Sequence, residues 1–192
     1  MNKTRLEAFS DGLFAIIVTI MVLEIKIPHE STMVALLALW PVFISYLLSF
    51  VFIGIYWGNH HHLLHTVHHV NSNIIWSNMH LLFWLSLVPF TTGWMGENHF
   101  DELPVAIYAV NLLLCGIAYY ILQKTIMAHH TFTEKLAEAM KKQEKKGMAS
   151  LVLYIISVVS AFYNPLISEI IFAVVAIMWV IPDRNIEKAL KD

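Results

Sequence analysis

The sequence predicts an all-α integral membrane protein that crosses the bilayer six times in one 192-residue domain, and three observations predict it. The first is composition: 58% of the residues are hydrophobic, against about 45–50% in soluble domains, and mean hydropathy is +0.64. The second is length, because hydrophobic runs approaching the roughly 20 residues needed to cross a bilayer recur along the chain. The third is where the cations fall. Eleven of the twelve Lys and Arg residues lie in segments that six crossings would place on one side. Lys3 and Arg5 precede the first run; Lys124, Lys135, Lys141, Lys142, Lys145 and Lys146 separate the fourth from the fifth; Arg184, Lys188 and Lys191 follow the sixth. Only Lys26 falls on the other side, among Glu30, Glu97, Asp101, Glu102 and Glu169. This asymmetry predicts a multi-pass protein of the cell membrane with both termini cytoplasmic.

The spans follow in order. The first is expected from Leu6 to Ile27, closed by Pro28, and the second from Val34 to Trp57. The third runs from Ile74 to Trp94 and the fourth from Val105 to Leu122, opened by Pro104. Proline is tolerated at such ends, where its missing N–H costs nothing. The fifth, Ala149 to Tyr163, and the sixth, Leu166 to Ile181, are short and separated by Asn164 and Pro165, which predicts a tight hairpin. Pro41 and Pro89 fall inside spans and are expected to kink them. Most of the tryptophans fall near span ends, as interfacial anchors do. Residues 130–147 form a charged amphipathic connection, expected on the cytoplasmic surface facing anionic headgroups.

Several function classes are excluded. A net charge of −2 with dispersed cations argues against a nucleic-acid partner. The single cysteine, Cys115, can form neither a disulfide framework nor a thiolate cage within one chain. Asp11 interrupts the first apolar run, which is too long for a cleaved signal peptide and lacks a small-residue cleavage site. The seven glycines build no phosphate loop and no nucleophile elbow, and the histidines form no metalloprotease helix, so no enzyme and no cofactor are expected.

The first span is unusual. Asp11 and Glu24 are 13 residues apart, about 20 Å along a helix, whereas the hydrocarbon core is roughly 30 Å thick. One acid must lie at membrane depth, or other helices must shield this one from lipid. A charge there costs at least about 2.5–3.5 kcal/mol and normally has a partner. The blander alternative is that Asp11 pairs with Arg5 near the cytoplasmic end. Between the acids, Ile16, Thr19, Ile20 and Leu23 occupy one helical face. Periodicity alone does not distinguish a lining from a packing stripe here, because nearly every residue is apolar.

Arg5-x-x-x-Phe9-Ser10-Asp11-Gly12, followed by Phe14-Ala15-Ile16 and Thr19, closely resembles the signature of the transmembrane protein 175 family of potassium channels. Tyr56-Trp57-x-x-His60-His61, Asn78-x-x-x-Leu82-x-Trp84-Leu85 and Pro89-Phe90 are similar to the family as well. The resemblance covers roughly the first half of the chain, and the last three spans match only in hydropathy. It implies a homotetramer of six-span subunits whose first helices line a central, potassium-favouring pore without a Thr-Val-Gly-Tyr-Gly filter. Ile16 matches the constriction, and Thr19 and Leu23 match further pore positions on the face that also carries Ile20. Arg5, Phe9, Ser10 and Asp11 match the motif that fastens the first helix to its neighbours. Trp57, Asn78 and one of His60 and His61 match its partners, the choice between the two histidines remaining open.

Eleven histidines are many for this length, and His60, His61, His62, His65, His68 and His69 gather in one cytoplasmic connection. His61, His65 and His68 have helical spacings that could hold zinc. A zinc transporter or zinc-regulated membrane protein is therefore the rival reading.

Overall fold

A computed structural model describes residues 2–130 and 133–180. Met1, Thr131 and Phe132 lie outside the described residues, as do Ile181 at the end of the sixth span and Arg184, Lys188 and Lys191 after it. The described elements are eight helices: α1 Lys3–Leu23, α2 Met33–Leu37, α3 Trp40–His65, α4 Ser72–Ser86, α5 Val88–Glu97, α6 Glu102–His129, α7 Glu134–Ala161 and α8 Pro165–Val180. Four stretches are long and apolar enough to cross a membrane: α1, α3, α4 with α5, and α6.

Local chemistry sets several of the boundaries. The Asn2 side chain caps α1 by accepting the Thr4 N–H at 3.2 Å, Thr32 caps α2 from Ala35 at 3.2 Å, and Asn71 caps α4 from Ile74 at 2.9 Å. Each satisfies an amide that a helix start leaves without an intrahelical acceptor. Pro89 does interrupt the third span: α4 ends before Leu87 and α5 restarts with Pro89 in its first turn. Asn164 and Pro165 do form the expected turn, with Asn164 Oδ1 accepting the Leu166 N–H at 3.1 Å.

Elsewhere the helices depart from the expected spans. The second span does not kink at Pro41. It breaks after Leu37, and α3 starts at Trp40 with Pro41 in its first turn, where a fixed φ and a missing N–H are accommodated. That helix also continues past Trp57 to His65, so His60, His61, His62 and His65 are helical and only His68 and His69 lie in the connection. Leu63 and Leu64 hold the extension by entering the core. The fourth span is extended in the same way, since Leu122 and Ile126 of α6 share the core that takes in Leu136 and Met140 of α7. The amphipathic connection is no separate element: from Glu134 it is the first half of α7, continuous with the fifth span. Gly147 does not break it, a lone glycine costing a helix only about 1 kcal/mol.

Two buried clusters hold the bundle. One joins Phe14, Ile17 and Met21 of α1 to Leu81 and Leu85 of α4 and Leu122 of α6. The other joins Phe52, Met95, Tyr108, Tyr154 and Phe172 from α3, α5, α6, α7 and α8. Inside a bilayer such packing acts through close van der Waals contact and interhelical hydrogen bonds, because lipid is as apolar as the core. The Ser49 hydroxyl meets Tyr108 at 2.8 Å and accepts from Thr92 at 2.7 Å, linking α3, α5 and α6.

Gly96 marks the tightest approach of α3 and α5. A Cβ there would stand 2.9 Å from the Val42 Cα and closer still to the Ser45 hydroxyl. Gly96→Ala is therefore expected to destabilise the bundle by about 1–3 kcal/mol, the usual cost of overpacking. Thermal melting in detergent checks this against Gly54→Ala on α3, where a Cβ meets nothing within 4 Å.

Candidate functional site

The site is α1 and the helices that grip it, α3, α4 and α5. Leu6, Ser10, Phe14, Ile17 and Met21 are buried on one side of the helix. Ile16, Thr19, Ile20 and Leu23 all lie on the opposite, exposed side, with Ile16 at 58% and Leu23 at 74% exposure. Among the described residues nothing covers this largely apolar stripe. The Thr19 hydroxyl donates back to the Ala15 carbonyl at 2.9 Å, so its proton is used while its oxygen can still accept or coordinate.

The buried side is locked by polar bonds. Ser10 is fully buried, and its hydroxyl donates to the Leu6 carbonyl at 2.8 Å and accepts from Asn78 Nδ2 at 3.0 Å. Because the Asn78 amide nitrogen is the donor there, its Oδ1 is left to accept, 2.6 Å from His60 Nε2. The imidazole proton therefore sits on Nε2. The His60 ring also packs 5.5 Å from Phe14. Ser10, Asn78 and His60 thus tie α1 to α4 and α3, and His60 is the buried member of the histidine pair. His61 is exposed, its ring 6.4 Å from Trp57.

Asp11 has a different partner. Its Oδ1 accepts the Trp57 indole N–H at 3.0 Å, a second link between α1 and α3 at the exposed rim. Among the described residues no ion pair joins Arg5 to Asp11, and Arg5 and Phe9 are exposed. Arg5 and Phe9 are therefore not gathered into the network by the single chain.

The structure adds residues that sequence reasoning missed. The Lys3 ammonium donates to the His65 carbonyl at 3.0 Å, closing the end of α3 onto the start of α1. Cations at helix C-termini commonly satisfy free carbonyls in this way, but nothing in the sequence selects the acceptor. At the opposite end, Lys26 pairs with Glu97, whose hydrogen bond and charge raise the ammonium above its ordinary pKa. Glu24 stands beside Gly93 of α5.

The histidines do not assemble as the zinc reading requires. The His61 and His65 rings are 5.7 Å apart, but His68 packs against His130 at 6.1 Å. Among the described residues no three His, Cys, Asp or Glu side chains are placed to hold a metal.

Fold and site define an all-helical membrane protein whose first helix is fixed by buried polar bonds on one side and bare on the other. Comparison with known proteins then gives its family. Residues 5–89, from the start of the Arg5 signature to Pro89, match the family described as endosomal/lysosomal potassium channel TMEM175. A protein of a Chryseobacterium species, described as a potassium channel, is 47% identical over 192 residues and covers 100% of both chains. Another, from Chamaesiphon minutus and also described as a potassium channel, is 31% identical over 187 residues, covering 90% of this chain and 91% of its own. The crystal structure of a lysosomal potassium-selective channel TMEM175 homolog from Chamaesiphon minutus superposes with a TM-score of 0.84 at 28% identity, covering 95% of this chain and 97% of that one. The chain belongs to the TMEM175 family of ion channels.

Proposed function

We propose that this protein is a potassium-favouring cation channel, a homotetramer of six-span subunits in the cell membrane with both termini cytoplasmic. The first helices line the central path. The second half of α7 and α8 are the fifth and sixth crossings. The observation that carries the reading is the bare Ile16–Thr19–Ile20–Leu23 face, opposite a side of α1 that is buried and hydrogen-bonded. A four-fold axis along this face would give it a purpose that lipid contact alone does not, since lipid contact asks for no hydroxyl.

The chemistry follows from the residues. Four Ile16 side chains around an axis form an apolar ring that sheds water when narrow and closes the path without a charged plug. Thr19 oxygens, their protons spent on Ala15, offer a modest field to a cation that has lost part of its hydration. Potassium sheds water more readily than sodium, so the preference is real but weak. Glu24 and Glu97 raise the local cation concentration at the far mouth, Glu97 being partly neutralised by Lys26. Ser10, Asp11, Trp57, His60 and Asn78 set the position of α1, His61 lies at the edge of this set, and Arg5 and Phe9, exposed in the single chain, would join it only across a subunit boundary. Potassium is cargo, and no cofactor takes part.

Cysteine accessibility tests the pore face. The native Cys115 is fully buried and gives little background. A charged, water-soluble thiol reagent is expected to block potassium flux through Leu23→Cys and to spare Ile17→Cys, whose position faces the core. Equal insensitivity at both positions would remove α1 from the path.

A further inference from the structure

Pro89 accounts for one lost bond at the break between α4 and α5, but not for the other. With no N–H it leaves the Leu85 carbonyl without its usual donor, as proline does in any helix. The Val88 N–H is present, and in a continuous helix it would donate to the Trp84 carbonyl. Here the Leu87 N–H reaches that carbonyl instead, at 3.2 Å. The side chain of Asn111, buried on α6, stands in the gap. One end of its amide is 3.0 Å from the Trp84 carbonyl oxygen; the other is 3.3 Å from the Val88 nitrogen and 3.1 Å from the hydroxyl of Thr91, also buried. A carbonyl only accepts and an N–H only donates, so the amide nitrogen faces Trp84 and the amide oxygen faces Val88 and Thr91. An amide inserted into the ladder of a helix is a recognised cause of a sharp break, and inside a membrane a neighbouring helix must supply such a group.

The two helices that meet at this break hold different parts of α1. The N-terminal half of α1 is held by α4, through Asn78 on Ser10 and through Leu81 and Leu85, which share a cluster with Phe14 and Ile17. The C-terminal end is held by α5, where Gly93 lies beside Glu24 and Glu97 pairs with Lys26 just beyond the helix. Ile16 and Thr19 fall between the two grips. The angle at the break therefore sets how the two ends of α1 stand relative to each other. An amide that ties α6 to both sides of the break fixes that angle, and α6 packs on α4 and α5 alike.

We propose that Asn111 is a positioning residue for conduction: by bridging Trp84 and Val88 it holds the angle between α4 and α5, and through them the placement of Ile16 and Thr19 along the ion path. It touches no ion itself. The proposal rests on α1 lining that path. Without the amide, the Val88 N–H regains the Trp84 carbonyl by swinging α5 toward a continuous helix, as far as Pro89 permits. The end of α1 that carries Thr19 and Leu23 moves with α5.

The test is single-channel recording of Asn111→Leu with potassium on one side of the bilayer and sodium at equal concentration on the other. The reversal potential is expected to move toward zero, and the open-to-closed ratio to change about two- to thirtyfold, the range over which residues away from a site bias such equilibria. Asn111→Asp should behave as the native channel, because a buried carboxyl stays protonated and offers one O–H and one C=O in the same places. Where Asn111→Leu yields no folded protein, Thr91→Val carries the test: it removes one of the amide's partners, keeps the branched shape, and should shift both readings the same way by less. Fewer channels, each with native reversal potential and open-to-closed ratio, would show a merely structural role and overturn the proposal. So would Asn111→Asp channels indistinguishable from Asn111→Leu. Thiol block at Leu23→Cys, measured alongside, keeps the two readings apart. Without block the path along α1 fails; block together with unaltered Asn111→Leu channels defeats only the role of Asn111.

Discussion

Ile16→Asn is expected to raise potassium conductance several-fold and to reduce the preference for potassium over sodium. An apolar ring resists ion entry because water must first be held between side chains that offer it no hydrogen bond. Asparagine replaces the hydrocarbon ring with amides that hold water and is also smaller than isoleucine, so wetting and width act in the same direction. Each lowering of the barrier by about 1.4 kcal/mol is tenfold in rate, and a several-fold gain therefore asks for only about 1 kcal/mol. Ile16→Phe is expected to act in the opposite direction by filling the ring. Neither change should lower the melting temperature much, because Ile16 is 58% exposed and takes no part in the buried clusters. Single-channel recording of both variants checks this, and unchanged currents in both would remove Ile16 from the constriction.

The second large effect is expected at Asn78, and it should be one of stability. Asn78 is fully buried, with its amide nitrogen on Ser10 and its amide oxygen on His60. Asn78→Leu keeps the number and branching of side-chain heavy atoms and leaves the His60 N–H without an acceptor, a loss of about 1–3 kcal/mol for a buried donor. His60→Leu should cost a similar amount by stranding the Asn78 oxygen. Removing both at once leaves no stranded group between them, so the double variant should be more stable than the sum of the single losses predicts. Trp57→Phe should cost less, since its bond to Asp11 is exposed. Thermal melting of the four variants in one detergent measures these differences. A double variant that merely adds the two losses would show that His60 and Asn78 act independently.

How much could be read in advance depended on what kind of residue carried the information. Polar residues inside apolar helices were informative, because each needs a partner. Asp11 stands out that way, Ser10 and Asn78 through the family signature, and each does make an interhelical hydrogen bond. That Ile16, Thr19, Ile20 and Leu23 share one face of α1 follows from helical spacing, but that the face is exposed does not, because nearly every residue there is apolar. The choice between His60 and His61 does not follow either. Adjacent helical residues point about 100° apart, so only the rotation of α3 against α1 and α4 decides which is buried, and a helix apolar on every side does not encode that rotation. The same uniform hydrophobicity hid the breaks and extensions. Pro41 is compatible with either a kink or a helix start, and only the packing that begins at Trp40 selects the start. The charged run through Lys146 looked like a separate surface element, yet it continues into the fifth span because no breaker separates them. Long-range pairs such as Lys3 with the His65 carbonyl and Lys26 with Glu97 leave no mark on the sequence at all.

The central claim is a monovalent cation path, and ion flux into liposomes containing the purified protein tests it most directly. Under a potassium gradient and then a matched sodium gradient, potassium flux is expected to exceed sodium flux, to scale with the protein added and to persist with a metal chelator present. Absence of any monovalent flux, with uptake of zinc instead, would contradict the channel reading and return attention to the histidines of α3.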